Sequence, residues 1–330
     1  MRILLLLSLS VLAGSLCLGQ EKRMNEMWDG NASSNRINIS RGKVFREGRY
    51  AMFVHFGYYS FLANQWQGRT YYGIGEWIMN KNMAGISVND YKNGVAGFNP
   101  TKFDASKIVN LAKNAGMKYI IITSKHHDGF AMFRSRYSPF NIYDATPFRR
   151  DPMKEMADAC KKAGLGFGFY YSQTQDWTTP GGHGGPAKDQ LDHVISFDAY
   201  FNNRCVPEIE QLTTNYGPIA LVWFDTPGSI SKAYSQKLVD IVHKNQPQAL
   251  VSGRVGNGMG DYTTLGDMEV PLKNVTGLWE TVDVTNDSWG FAWYDKNWKT
   301  PKEILTRTLS TIARGGNFGS PVERCGDATA

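Results

Sequence analysis

Short apolar runs alternating with longer stretches of helical periodicity set the tightest limit on how this chain can fold. The runs are Ala51-Met-Phe-Val-His-Phe, Tyr119-Ile-Ile-Ile-Thr, Leu165-Gly-Phe-Gly-Phe-Tyr-Tyr, Ile219-Ala-Leu-Val-Trp-Phe-Asp and Ala249-Leu-Val-Ser-Gly-Arg. Such alternation predicts a parallel sheet covered by helices. Asp104 to Gly116 places Ile108, Leu111, Ala112 and Ala115 on one helical face and ends at a glycine, a natural stop. Pro152 to Gly164 repeats the design with Met153, Met156, Ala157 and Cys160 on its stripe. Helix, Ala-Gly, strand is thus the repeated order, and it predicts an α/β fold of (β/α)8-like, TIM-type barrel architecture. With 330 residues there is room for one such domain.

Before the first run lie two segments of other character. Residues 1–19 read as a signal peptide: Met1-Arg2, the apolar run Ile3 to Leu12, then Ala13, Gly14 and Ser15, with cleavage near Gly19/Gln20. A lipid anchor on Cys17 is the alternative, opposed by Leu16 before it. Residues 20–48 form a polar leader, 49–317 the catalytic barrel and 318–330 an atypical tail. The expected location is outside the cytoplasm, whether periplasmic, secreted or lysosomal. No later stretch approaches the roughly 20 apolar residues of a membrane span. Only Cys160, Cys205 and Cys325 remain after cleavage, with no CxxC pair, so neither a disulfide framework nor a thiolate zinc site is expected. The formal charge of +6 is scattered without basic runs, which gives no support to nucleic-acid binding. Thr178-Thr-Pro-Gly-Gly-His-Gly-Gly-Pro-Ala lacks the lysine of a phosphate loop and reads as a mobile surface loop, or a lid.

A barrel of this type carries its active site at the C-terminal ends of its strands. Each apolar run closes there on a polar group: His55, then His126 and His127, then Tyr170 and Tyr171, Asp225, and Arg254. Asp225 leaves a buried strand as a carboxylate, which burial penalises unless a cation such as Arg254 and nearby donors hold it ionised. It is the candidate nucleophile or base. Glu76, Glu269 and Glu280 are the candidate acidic partners, and two carboxylates across a sugar-sized cleft make a glycosidase. Trp77, Trp177, Trp223 and Trp289 are among the aromatics near these groups, and those beside strand ends can stack on a sugar ring. Neighbours on an extended strand point to opposite faces, so His126 and His127 are not expected to share a metal; neutral imidazoles bonded to substrate hydroxyls are the preferred reading.

"MFVHFGYYS", "GEWIMN", "FDASKIVNLAKNAGMKYIIITSKHHDGFAMF", "GLGFGFYYS", "LVWFD" and "WETVDVTNDSWGF" together resemble the retaining α-L-fucosidases of glycoside hydrolase family 29, from about Arg49 to Gly316. The resemblance implies a barrel, usually followed by a β-sandwich, that removes terminal α-linked L-fucose from a fucosylated oligosaccharide or glycoconjugate through a covalent intermediate, with no metal or other cofactor. It makes Asp225 the nucleophile and His55, Glu76, Trp77, His126, His127, Tyr171 and Arg254 sugar-binding positions, with Trp223 beside them. Glu269 and Glu280 both match motifs that supply the acid/base, Glu269 being preferred because it follows Arg254 on the next loop. Phe56 stands where the family commonly has Trp. After Asn317 the family continues into an apolar strand, whereas this chain reads Phe318-Gly-Ser-Pro-Val-Glu-Arg-Cys-Gly-Asp, so a closing strand and the sandwich are expected to be missing. A fucose-binding protein without turnover is the alternative from another class, and a metallohydrolase a third.

Overall fold

The computed structural model describes residues 41–184, 195–272 and 275–321. The signal segment, most of the leader, part of the Gly-rich segment after Thr178 and the end of the tail lie outside these residues. Eight parallel strands form one curled sheet. They are β1 (Tyr50–Val54), β2 (Tyr119–Lys125), β3 (Gly166–Ser172), β4 (Leu221–Asp225), β5 (Leu250–Val251), β6 (Thr263–Thr264), β7 (Trp279–Val282) and β8 (Asn317–Pro321). Each pairs with its neighbour in sequence, except that β8 pairs back with β1 and β5 meets β6 through one bridge, Ser252 to Tyr262. The ring is therefore a (β/α)8-type barrel with one thin seam. Asp261 staples that seam: its backbone N–H donates to the Val251 carbonyl at 2.8 Å, while its carboxylate accepts from the Val251 N–H at 2.8 Å and pairs with His243 at 2.8 Å.

Side-chain alternation sorts the strands into two cores. Ala51, Phe53, Tyr119, Ile121, Tyr170, Leu221, Trp223 and Val282 fill the barrel, plugged from below by Phe45 against Tyr262, ring centroids 4.4 Å apart. Met52, Val54, Ile120, Ile122, Phe169, Tyr171, Val222 and Phe224 face outward to the helices. Gly168 gives the interior its room, since a Cβ there would lie 2.9 Å from the Leu221 carbonyl oxygen.

Five longer helices pack outside: α1 (Ala105–Asn114), α2 (Pro152–Ala163), α3 (Val206–Asn215), α4 (Lys232–Asn245) and α5 (Pro301–Ala313). Their starts are written locally. Asp104, Asp151, Ser231 and Thr300 each cap a helix by accepting a backbone N–H, with Pro152 and Pro301 fixing the first turn. On α2 the expected stripe of Met153, Met156, Ala157 and Cys160 is buried. On α1 the buried face is Ala105, Val109 and Ala112, and Leu111 is 47% exposed. The periodicity there is right and its phase one residue off.

The ending corrects the sequence reading. Asn-Phe-Gly-Ser-Pro, with one large apolar side chain, forms β8 and pairs with both β1 and β7, so the expected missing strand is present and the tail boundary at 318 falls inside it. A strand held on both edges by backbone ladders does not need apolar alternation of its own.

Candidate active site

The mouth of the barrel collects most of the predicted groups. Asp225 ends β4, 8% exposed, and its two oxygens are separately held: Tyr170 donates its hydroxyl to Oδ2 at 2.8 Å and Arg254 Nη1 donates to Oδ1 at 3.0 Å. Burial pushes this carboxyl upward, but Arg254, His127 and the two donors more than offset it and hold the group below its ordinary range. Gln173 squares the corner, accepting the Asp225 N–H at 2.9 Å and donating to the Arg254 carbonyl at 2.9 Å.

The paired histidines sit in a turn, because β2 ends at Lys125 after a register shift between Thr123 and Lys125. Gly129, at φ 76°, closes that turn onto the His126 carbonyl, and a Cβ at this position would meet Asp176 Oδ1 at 2.1 Å. Both imidazoles consequently reach the site, contrary to the expectation from strand alternation. Their ring centroids are 4.2 Å apart; His126 stacks on Tyr170 with planes 3° apart, and His127 Nε2 lies 3.6 Å from Asp225 Oδ2. His127 Nδ1 and the Ser172 hydroxyl share a hydrogen bond of 2.7 Å. His55, at the end of β1, stacks on Phe53 and faces Trp289 at 5.3 Å. Burial lowers all three imidazoles, His55 to about 3 and His127 to about 4, the Asp225 charge opposing in both, while His126 falls well below its ordinary value. They are neutral at physiological pH. Ligand-capable atoms of His126, His127 and Asp225 lie within 4.8 Å of one another, a donor set that suits a transition metal, but the guanidinium already paired to Asp225 competes with any cation there.

Glu76 and Trp77 come from a short turn, Gly75–Trp77, pressed against 288–291; a Cβ on Gly75 would lie 2.4 Å from the Gly290 oxygen. Glu76 Oε2 accepts the Gly290 N–H at 2.7 Å. Burial raises this carboxyl to about 7, with the negative charges of Asp267 and Asp225 adding to the effect. Trp77 sets its edge against His127, centroids 5.5 Å apart, and Trp177 packs behind both. A carboxyl raised from 4.5 to about 7 by folding contributes stability that is complete below about pH 4.5 and lost as pH rises through about 7. Wild type is therefore expected to lose melting temperature relative to Glu76→Gln between pH 4.5 and 7, by calorimetry; a relative gain across that window would contradict the assignment.

Three predicted residues stand elsewhere. Tyr171 points out of the barrel, because it follows the inward Tyr170 on an extended strand. Its hydroxyl donates to Glu208 Oε2 at 2.6 Å within a buried network of Lys125, Asp176 and Arg204, where Lys125 lies 3.3 Å and Arg204 3.2 Å from Asp176. Trp223, 2% exposed, lies under Tyr170 inside the barrel, too covered to stack on a sugar. Glu280 lies deeper still, 1% exposed, accepting from Trp223 Nε1 at 2.5 Å and Thr264 Oγ1 at 2.8 Å. Burial raises it to about 7. Glu269 is on the predicted loop but exposed, its carboxylate accepting the N–H of Gly266 at 3.0 Å.

Asp267 was hidden two residues before it. Arg254 Nη2 donates to Asp267 Oδ1 at 2.5 Å and to the Leu265 carbonyl at 3.1 Å, so a single guanidinium spans Asp225 and Asp267. The Asp267 side chain is 27% exposed, open to an incoming molecule. Its sequence signal was its place in the same Gly-Asp-Met-Glu loop, after β6 in a barrel whose sites lie at strand ends.

A parallel barrel that gathers an ionised aspartate, a second carboxylate across one guanidinium, uncharged imidazoles and indole walls has the layout of a glycoside hydrolase. The chain belongs to the alpha-L-fucosidase family, whose model matches residues 19–318. It is 42% identical to the unliganded alpha-L-fucosidase AlfC from Lactobacillus casei, with a TM-score of 0.81 over 86% of this chain and 92% of that one. AlfC has also been solved with α-L-fucose and, as a mutant, with Fucα(1,6)GlcNAc. Alpha-L-fucosidase 1 of Arabidopsis thaliana is 29% identical over 72% of this chain and 40% of its own length; the plasma enzyme of Rattus norvegicus is 26% identical over 83% and 62%. The chain thus spans between 40 and 62% of these curated relatives.

Proposed function

We propose that this protein is an exported, retaining exo-α-L-fucosidase acting on fucosylated oligosaccharides or glycoconjugates. The observation that carries the reading is the bridge Asp225, Arg254, Asp267: two carboxylates on one guanidinium, one ionised and buried, the other open to solvent. Fucose-bearing ligands held by the similar AlfC supply the substrate class, and the N-terminal apolar run supplies export.

Asp225 attacks the anomeric carbon while the glycosidic C–O bond breaks. Asp267 gives its proton to the departing oxygen. The product is a fucosyl ester of Asp225. Asp267, left as a carboxylate by that transfer, then takes a proton from water. That water attacks the same carbon, the ester breaks and Asp225 leaves as carboxylate. Retaining pairs stand about 5 to 5.5 Å apart, a scale suited to two carboxylates sharing one guanidinium. Glu269 and Glu280 lack this relation to Asp225: one bonds its own loop, the other is sealed below Trp223. Neutral His55, His126 and His127, with Glu76, can exchange hydrogen bonds with the ring hydroxyls, and half-buried Trp77 and Trp289 wall the mouth.

Hydrolysis of 4-nitrophenyl α-L-fucopyranoside, followed by proton NMR, is the direct test. α-L-Fucose is expected as the first-formed anomer. β-Fucose first would make the enzyme inverting, and binding without turnover would leave a fucose-binding protein.

A further inference from the structure

Glu280 is a carboxyl buried in the barrel that the proposed chemistry does not use. Taking such a group out of water is costly unless its hydrogen bonds are made. Two bonds hold it, both to Oε1: one from the Trp223 indole at 2.5 Å and one from the Thr264 hydroxyl at 2.8 Å. Register explains the meeting. Glu280 and Val282 point inward from β7, and Thr264 sits beside Glu280 on β6.

Trp223 is the floor on which the nucleophile's holders rest. The Tyr170 ring stacks on it with centroids 5.4 Å apart and planes 18° apart. The Arg254 guanidinium carbon lies 4.9 Å from the indole centroid, and Phe53 meets it edge-on at 5.1 Å. Tyr170 and Arg254 are the groups that bond the two oxygens of Asp225. An indole N–H inside a barrel needs an acceptor, and without one the ring has reason to tilt.

We propose that Glu280 is a positioning residue acting through Trp223: it fixes the indole plane, and with it Tyr170, Arg254 and the aim of the Asp225 carboxylate. The role rests on Asp225 being the nucleophile. It requires an acceptor at position 280 and no proton transfer from it.

The test compares wild type with Glu280→Gln, Glu280→Leu and Trp223→Phe on 4-nitrophenyl α-L-fucopyranoside, with indole N–H resonances of the 15N-labelled proteins as a second readout. Glu280→Leu and Trp223→Phe are expected to lower kcat by about 10²-fold, the scale on which a remote 1 Å misplacement acts, with KM much less changed. Glu280→Gln keeps an oxygen for the indole and is expected to stay within about threefold of wild type, with both limbs of its pH profile unmoved, since a kcat change of that size is small beside an acid–base role. One downfield indole resonance should vanish in Trp223→Phe, shift in Glu280→Leu and persist in Glu280→Gln. Azide should rescue none of them. Glu280→Gln as inactive as Glu280→Leu, or azide rescue of Glu280→Leu, would overturn the proposal in favour of proton transfer by Glu280. Wild-type kcat in a folded Glu280→Leu protein would overturn it outright, leaving the fucosidase reading intact. Absence of turnover in wild type itself would sink that reading, and the positioning role with it.

Discussion

Asp225→Ala is expected to lose at least ~10⁴-fold in kcat, beyond the range of a single acid–base group, because the covalent route disappears with the attacking oxygen. The variant also leaves Tyr170 without its acceptor, while Arg254 keeps Asp267. Breaking a buried pair costs on the order of 3 to 5 kcal/mol, so the protein should melt earlier and still fold. Azide separates the two effects. It can enter the vacated space below the anomeric carbon and displace the leaving group once, giving β-fucosyl azide by NMR. Full activity in Asp225→Ala, or an α-azide from it, would remove Asp225 from the role of nucleophile.

Asp267→Ala should behave in a complementary way. Loss of general acid–base help costs about 10² to 10⁴-fold, most severely for a sugar leaving group, which needs the proton, and least for 4-nitrophenolate, which does not. With the activated substrate the fucosyl ester should accumulate, seen as a burst of 4-nitrophenol followed by slow turnover. Azide now attacks the ester from the face the leaving group vacated, so two inversions give α-fucosyl azide. Glu269→Gln, altering an exposed side chain bonded to its own loop, is expected to retain most activity with no azide effect. A reversal of these two phenotypes would return the acid/base to Glu269.

The anomeric outcomes separate residues that sequence could not. Asp225, Arg254 and His55 were legible because each closes or follows an apolar run, and strand ends are where a barrel puts its chemistry. Tyr170 and Tyr171 close the same run, and only the phase of β3 relative to Leu221 and Trp223 decides which faces inward. The two-residue strands β5 and β6 carry too little pattern to fix which acid of the following loop, Asp267 or Glu269, meets Arg254. Glu280 looked catalytic because an acid on a strand near the site is a sound candidate. What demoted it is depth along the strand, which register alone reveals. The bend that turns both His126 and His127 inward follows from a register shift that no residue spacing encodes.

The thin seam beside Asp261 gives the site uneven stiffness. Asp225, Tyr170 and the three imidazoles are anchored at or near the ends of strands of five to seven residues, each paired along most of its length. Arg254 and Asp267 follow β5 and β6, on opposite banks of the joint, where the Ser252–Tyr262 bridge and the Asp261–Val251 bonds stand in for a ladder. On the proposed chemistry, give at that joint would be felt first in the Arg254–Asp267 link and last at the Asp225 end of β4, so bulk in the leaving group would be met on one flank of the site.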